Sequence, residues 1–264
     1  MEEKNAAMIH ADKELEKLLK EDGLTPFDVD NYHRFSVADN EIPHLSSDRL
    51  EYMFPSGMAL NGSFDMDSTA RLYKNISLCY NELDEFEPGF LTEDCAAEYC
   101  ERFCNAGLVL QKNENKLSLQ LLAEILNLAV RCGIVTERDF FTKSEKELID
   151  LFDCLAASEH QSMSDYKRFR SLYKTFRTMT KIEHTSKPLD GCFCVSLNVK
   201  KRYIDPLVIQ KTIQTVQPQK KENAEVQVHK GKRITAVSNR AKTVVDNFLS
   251  YSDTLYGCVK LVDN

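Results

Sequence analysis

No run of apolar residues in this 264-residue chain approaches the roughly eighteen that a membrane-spanning helix needs, so a helical span is excluded and no membrane partner is expected. The opening Met1-Glu2-Glu3-Lys4-Asn5 is polar and acidic and lacks the apolar core of a signal peptide, which predicts a soluble, cytoplasmic protein. A phosphate-binding Gly-rich loop, Gly-x-Ser-x-Gly and His-Glu-x-x-His are all missing, which sets aside the enzyme classes built on them. Positive charge is in the minority, 34 Lys and Arg against 41 Asp and Glu, for a net charge of -7. That balance argues against nucleic acid as an obligate partner of the whole surface, while leaving room for a local basic face. The absence of tryptophan carries no functional signal. No Cys-x-x-Cys occurs, although there are nine cysteines. Their odd number, the size of the chain and the lack of an export signal predict no disulfide framework. Cys100 and Cys104 stand one helical turn apart with Cys95 five residues earlier, and Cys192 and Cys194 would share one side of a strand. Structural zinc sites show close paired ligands, so these read as reduced, partly buried thiols.

What is present is ordinary globular material. The chain is 42% apolar and 28% charged and is long enough to bury a real core. Helical spacing runs through most of it. Residues 3–22 carry Met8, Leu15, Leu18 and Leu19 on one stripe and end at Gly23, a suitable C-terminal cap. Thr25-Pro26 opens a polar connection. Ser46-Ser47-Asp48 reads as the start of a helix that Pro55-Ser56-Gly57 should end or kink. Asp65-Met66-Asp67-Ser68 caps a helix expected to run through Leu72, Ile76 and Cys79, and Thr92-Glu93-Asp94 begins one reaching about Gln111. From Lys116 to Cys132, Leu119, Leu122, Leu126 and Ala129 occupy one side and Leu117, Leu121, Ile125 and Leu128 another. This segment is therefore expected at the centre of a core. Ser144 with Glu147 is a capping box ahead of Leu148, Leu151, Phe152 and Leu155, and 163–180 carries an aromatic stripe at three-four spacing.

After Pro188 the period changes. Phe193, Val195, Leu197 and Val199 alternate with polar residues as a strand does. Asp205-Pro206 marks a turn, 214–225 an exposed loop, and Val226 with Val228 a second strand turning at His229-Lys230-Gly231-Lys232. Ser238 caps a last helix through Phe248, and Gly257 to Val262 returns as an edge strand. The expected class is mainly α, with a helical region over 1–187 and a small α+β region over 188–264.

Chemistry concentrates in Pro43-His44-Leu45-Ser46-Ser47-Asp48-Arg49-Leu50-Glu51-Tyr52. Asp48 falls in the first turn of the expected helix, where a carboxylate can ligate a hard or borderline divalent metal. Arg49 can meet a phosphate bidentately, and Tyr52 lies one turn on. By spacing alone the better reading is the plain one, an acidic residue that the helix dipole favours in the first turn without any function. His10, His33, His160, His184 and His229 are scattered and read as surface or half-buried. The basic residues of 163–181 read as the charged face of a core-packed helix, with phosphate or nucleic-acid contact as the alternative. Lys200-Lys201-Arg202 and Lys230, Lys232 and Arg233 form two basic groups that would suit an anion if clustered.

The stretch Ser46-Ser47-Asp48-Arg49-Leu50-Glu51-Tyr52 resembles the Asp-Arg-Leu-(Glu/Asp)-Tyr motif of HD-domain metal-dependent phosphohydrolases, the superfamily that includes the dNTP triphosphohydrolases. The chain is more closely similar to bacterial HD-domain proteins, in which a segment like Val37-Ala38-Asp39-Asn40 precedes that motif. The similarity continues through Lys201-Arg202-Tyr203-Ile204-Asp205-Pro206-Leu207-Val208 and from Gly231-Lys232-Arg233-Ile234 to Phe248-Leu249. The resemblance implies a helical HD-type body, a divalent metal (Mn, Fe, Mg or Zn) in the complete site, a nucleotide or other phosphorylated small molecule as substrate, and homo-oligomeric assembly. Asp48 matches the last metal ligand of the superfamily, and Arg49 and Tyr52 would line its phosphate-facing pocket.

The superfamily's first His and adjacent His-Asp pair match nothing here. No His-Asp dipeptide occurs, and His10-Ala11-Asp12 has the wrong spacing. One carboxylate cannot replace the hydration shell of a divalent ion, so the expectation is an incomplete site, inactive alone and without bound metal. A truncated gene, a misassigned start or a split protein would each account for it. The competing expectation is a non-catalytic helical binding or assembly module derived from that fold.

Overall fold

Asp12 divides the first amphipathic stretch in a computed structural model of the chain, which describes residues 2–157, 164–213 and 229–262. Its carboxylate accepts from the backbone N–H groups of Glu14 and Leu15, so α1 (Glu2–Ala11) ends there and α2 (Lys13–Glu21) starts, where one helix was expected. Gly23, at φ +74°, closes α2 as its sequence suggested. A Thr25–Asp28 capping box then starts α3 (Pro26–Val29), and a 3-10 turn covers Tyr32–Arg34. Helix α4 (Ser47–Asn61) begins at Ser46 and runs through Pro55 to a left-handed Gly62, so the expected break is absent. Leu50, Met53, Phe54 and Gly57 are buried on either side of Pro55, and this packing holds the helix across the missing N–H.

Helix α5 (Met66–Tyr73) stops earlier than its spacing suggested, because Ile76–Tyr80 is strand β1, paired antiparallel with β2 (Phe86–Phe90). Then follow α6 (Glu93–Gln111), α7 (Asn113–Arg131), α8 (Asp139–Thr142), α9 (Glu145–Ala157) and α10 (Ser164–Thr178). Strands β3 (Glu183–Thr185), β4 (Cys192–Val195), β5 (Leu207–Ile213) and β6 (His229–Arg233) precede α11 (Ile234–Val237), α12 (Asn239–Ser250) and β7 (Tyr256–Lys260). The fold is mainly α with two small sheets. The expected loop 214–225 and the strand through Val226 and Val228 lie outside the described residues. His229–Lys232, expected as a turn, is part of β6, and β7, expected at an edge, is the central strand of β3-β7-β4.

Two compact units emerge, each assembled from separated stretches of chain. One comprises Met1–Gly107 and Arg202–Ser250, the other Leu108–Lys201 and Tyr251–Asn264, so that 188–264 contributes to both. In the first unit β1, β2, β5 and β6 close into a four-stranded barrel. Closure needs near contact of backbones: a Cβ on Gly89 would stand 2.8 Å from the carbonyl oxygen of Leu207, and one on Gly231 2.7 Å from its Cβ. Phe54, Phe64, Phe90, Tyr99 and Phe103 fill the adjoining core, with Phe54 and Phe64 edge-to-face at 5.2 Å.

In the second unit α7 is central, with Leu117, Leu121, Ile125 and Leu128 fully buried, while Leu119 faces solvent. Phe152, Phe169, Tyr173, Val195 and Val259 complete this core. The start of α7 has no side-chain cap from Lys112 and takes one from far along the chain: the Asp253 carboxylate accepts from the Asn113 N–H at 2.8 Å. Burial alone would raise the Asp253 carboxyl, but N–H donation from Asn113 and Thr254, with His184 beside it, leaves it below the usual range. Asp253→Ala should therefore cost about 1 kcal/mol at neutral pH. A carboxyl whose folded value is depressed stabilises above its unfolded value, about 3.9, and loses that contribution as the pH falls through the folded one. Urea unfolding of wild type and variant should show the gap present at pH 7 and shrinking towards pH 2.

Candidate functional site

The N-terminus of α4 is built by the segment before it. Ser46 Oγ accepts from the Arg49 N–H at 3.2 Å, Ser47 N donates to Val37 O at 2.7 Å, Asp48 N to Ala38 O at 3.3 Å and Leu50 N to Ser46 O at 2.9 Å. The N–H groups a helix start would offer an anion are thus committed to Val37, Ala38 and Ser46. The preceding loop is closed by Asn40, whose Nδ2 donates to Ser36 O and Leu45 O, both at 2.9 Å. Ile42-Pro43 is cis.

Arg49 points into this loop. Its guanidinium donates to the Asn40 side-chain and backbone oxygens, to His44 O at 2.9 Å and to Ser46 Oγ at 3.4 Å, and it meets Asp39 at 3.4 Å. The fork that was expected to face phosphate is engaged here by the Asp39–Ser46 backbone and side chains. Asp48 is exposed in the first turn, one residue before it. Tyr52 is half-buried one turn on. Burial raises its phenol, against the opposing pull of Arg49 and Arg202 and with help from Asp48 and Asp39, so it stays a protonated donor at neutral pH. Fully buried Tyr99 fastens the helix from below, its hydroxyl 3.3 Å from Arg49 O and 3.4 Å from Leu50 O.

Beside this loop lies an ionic node that the sequence did not announce. Glu87, on β2, is fully buried. It accepts from Leu45 N at 2.9 Å, Asn81 Nδ2 at 3.3 Å and Arg233 Nη1 and Nη2 at 2.6 and 2.9 Å, with His44 Nδ1 at 3.8 Å. Arg233 also holds Glu82 at 2.8 Å and Asp205 O at 3.0 Å, and His44 Nε2 reaches Glu82 at 3.2 Å. Desolvation works against the Arg233 cation, yet Glu87 and Glu82 together raise its value. Burial likewise pushes Glu82 up, but its backbone N–H, Arg233 and His44 leave it lowered. The Asp205 carboxylate accepts from Thr235 N at 2.9 Å and Thr235 Oγ1 at 2.5 Å, while Asp205 N donates to Pro43 O at 2.8 Å.

Other sequence candidates have partners within their own units. Arg233 serves this node, Lys230 stands 3.7 Å from Asp84, and Lys201 donates to Tyr251 O at 2.6 Å. His10 pairs with Asp30 at 2.8 Å, His33 with Asp39 at 3.0 Å, and His184 with Glu114 at 3.0 Å; His160 lies outside the described residues. Among the described residues no three or more His, Cys, Asp and Glu side chains come together to hold a metal ion. The described residues around exposed Asp48 therefore do not make a coordination shell for a divalent ion. No helix of the described residues is long and apolar enough to cross a membrane. No protein-family model matches the chain, and neither a curated protein nor a solved structure is similar to it.

Proposed function

We propose that this chain is the second part of an HD-type metal-dependent phosphohydrolase for a nucleotide or other phosphoester, inactive alone, with Asp48 as the one metal ligand it contributes. The observation that supports the reading is convergence. Within one unit, stretches that carry the resemblance are bonded to each other. Ser47 of 46–52 donates to Val37 of 37–40, and Asp205 of 201–208 is bound by Arg233 and Thr235 of the stretch that begins at Gly231, while Pro43, between the first two stretches, accepts from Asp205 N. In this reading the node sets the loop before α4, the loop sets the start of α4, and Asp48 is offered to ligands supplied from outside residues 1–264.

The reading makes two demands on experiment. Desalted after incubation with Mn²⁺, the chain should retain less than one equivalent of metal and leave nucleotides unhydrolysed. Asp48→Ala should change the unfolding free energy by no more than about 0.5 kcal/mol, as expected of an exposed side chain without fixed partners. Robust hydrolysis by the chain alone, abolished by Asp48→Ala, would overturn the incomplete site. The DNA immediately preceding the Met1 codon supplies a second test. An in-frame segment encoding a His and an adjacent His-Asp pair is the expected finding for a cis-completed site.

A second reading, a non-catalytic binding or assembly module, is favoured by one observation: Arg49 spends its guanidinium on its own loop. It requires cooperative unfolding of the chain by itself and capture of a specific partner that Asp48→Ala does not disturb.

A further inference from the structure

Cys194 and Cys258 are direct cross-strand partners of β4 and β7 and are joined by a disulfide, with Cα atoms 4.1 Å apart. The pair corrects, for these two cysteines, the expectation that all nine are reduced thiols. Its surroundings differ on the two sides. Cys258 sits on the central strand and is fully buried, whereas Cys194 sits on edge strand β4 and is half-buried. Alternation along the strands puts Phe193, Val195, Val259 and Leu261 against the core of their unit and Cys194 and Cys258 on the opposite face. Cys192, two residues before Cys194, shares that face and is a free thiol. The backbone N–H of Leu189 points at Cys194 Sγ from 3.3 Å, a donor that favours a thiolate there. Thr185 Oγ1 lies 3.8 Å from Cys258 Sγ.

We propose that Cys194 and Cys258 form a reversible thiol–disulfide exchange site for low-molecular-weight disulfides, with Cys194 as the entry sulfur and Cys258 as the resolving one. Exchange requires a thiolate to reach a disulfide sulfur, so reactivity follows access and thiolate stabilisation. Cys194 has both, whereas Cys258 is fully buried and has only the more distant Thr185 hydroxyl beside it. In the oxidising direction, with glutathione disulfide as oxidant, the Cys194 thiolate attacks one glutathione sulfur. An S–S bond forms to Cys194 and one glutathione thiolate leaves. The Cys258 thiolate then attacks Cys194 Sγ, forming the protein disulfide and expelling the second glutathione thiolate. The two cysteines lose two protons and two electrons, and the oxidant becomes two thiols. Reduction reverses each step, with glutathione attacking Cys194. Among the remaining thiols, burial pushes Cys79 up to about 12, and a hydrogen bond with Cys104, then burial, raises Cys100, which keeps these two protonated.

The test equilibrates the full chain in glutathione buffers stepped from reducing to oxidising. Acid quenching, alkylation and peptide sequencing that separates Cys192 from Cys194 then give the state of each sulfur. The expected result is one reversible transition between dithiol and disulfide at 194 and 258 without denaturant. Cys258→Ala should accumulate a glutathione adduct at Cys194, Cys194→Ala should leave Cys258 unmodified, and Cys192→Ser should leave the transition in place. Wild type itself guards against a misfolded variant: in the reduced native protein Cys194 should alkylate faster than Cys258 by on the order of tenfold or more, since access decides the rate. A bond that persists at every ratio until the chain is denatured, two free thiols at the most oxidising ratio, or faster alkylation of Cys258 would each overturn the proposal.

Discussion

Glu87→Ala should lower the free energy of unfolding by about 3–5 kcal/mol, because it leaves the Arg233 guanidinium buried with its main counter-charge gone. Arg233 has only 15% of its side chain exposed and Glu87 none. Glu82, the other carboxylate on Arg233, is 54% exposed, so solvent screens it and it cannot replace the lost partner. A second cost falls on Leu45, whose N–H loses its acceptor inside the fold, worth about 1–3 kcal/mol if nothing takes its place. Replacing both ends of the pair, Glu87→Leu with Arg233→Met, should recover the ionic part of the loss and leave the Leu45 cost, since a buried ion pair contributes little beyond apolar residues of similar volume. Urea unfolding of the two variants separates these terms. A cost below about 1 kcal/mol for Glu87→Ala would show that water reaches the node and that Arg233 is not held in a dry interior.

The same node explains how much of the site could be read from residue order. Ser46, Asp48, Arg49 and Tyr52 were legible because a helix start has a local code: a capping hydroxyl, an acid in the first turn and an apolar residue one turn on. Their environment was not. Glu87 lies in Phe86-Glu87-Pro88-Gly89-Phe90, where Pro and Gly argue against a strand, and only closure of the barrel makes Gly89 an asset. Its partner is 146 residues away, and no spacing rule connects them. Arg233 appeared in the sequence as one of a basic group and is instead an internal cation between two carboxylates. Asp205 looked like the first residue of a turn, and its carboxylate fixes Thr235 thirty positions on. Helices were recovered where periodicity was strong, with a capping signal as well at the starts of α6 and α9 and from the apolar spacing alone for α10, whereas α7 starts at Asn113, ahead of the expected Lys116. They failed at Asp12 and Ile76, where a side-chain cap or strand pairing overrode a continuous apolar stripe.

The cores of the units show the same division between pattern and partner. Phe169 was visible as a member of the aromatic stripe of α10, but its neighbours were not. It is fully buried, edge-to-face with Phe152 at 5.4 Å, stacked on Tyr173 at 5.9 Å, and part of the cluster that includes Leu121, Val195 and Val259. Phe169→Ala removes a ring from close-packed surroundings and should cost about 3–5 kcal/mol. The two ring pairs, each worth about 0.5–1.5 kcal/mol beyond area, place the cost in the upper part of that range. Phe169→Leu refills part of the space and should cost less. Since whole domains are stable by only about 5–15 kcal/mol, the alanine variant should populate open states of its unit measurably. Native-state hydrogen exchange should show amides in α7, α9 and α10 losing about three to four decades of protection, at about 1.4 kcal/mol per decade. The effect should extend to the Cys194–Cys258 pair, because Val195 and Val259 hold the inner face of that sheet against the same cluster. In the reduced alanine variant Cys258 should alkylate at a rate approaching that of Cys194. A variant in which α7 keeps its protection would place the stability of this unit elsewhere than in its aromatic core.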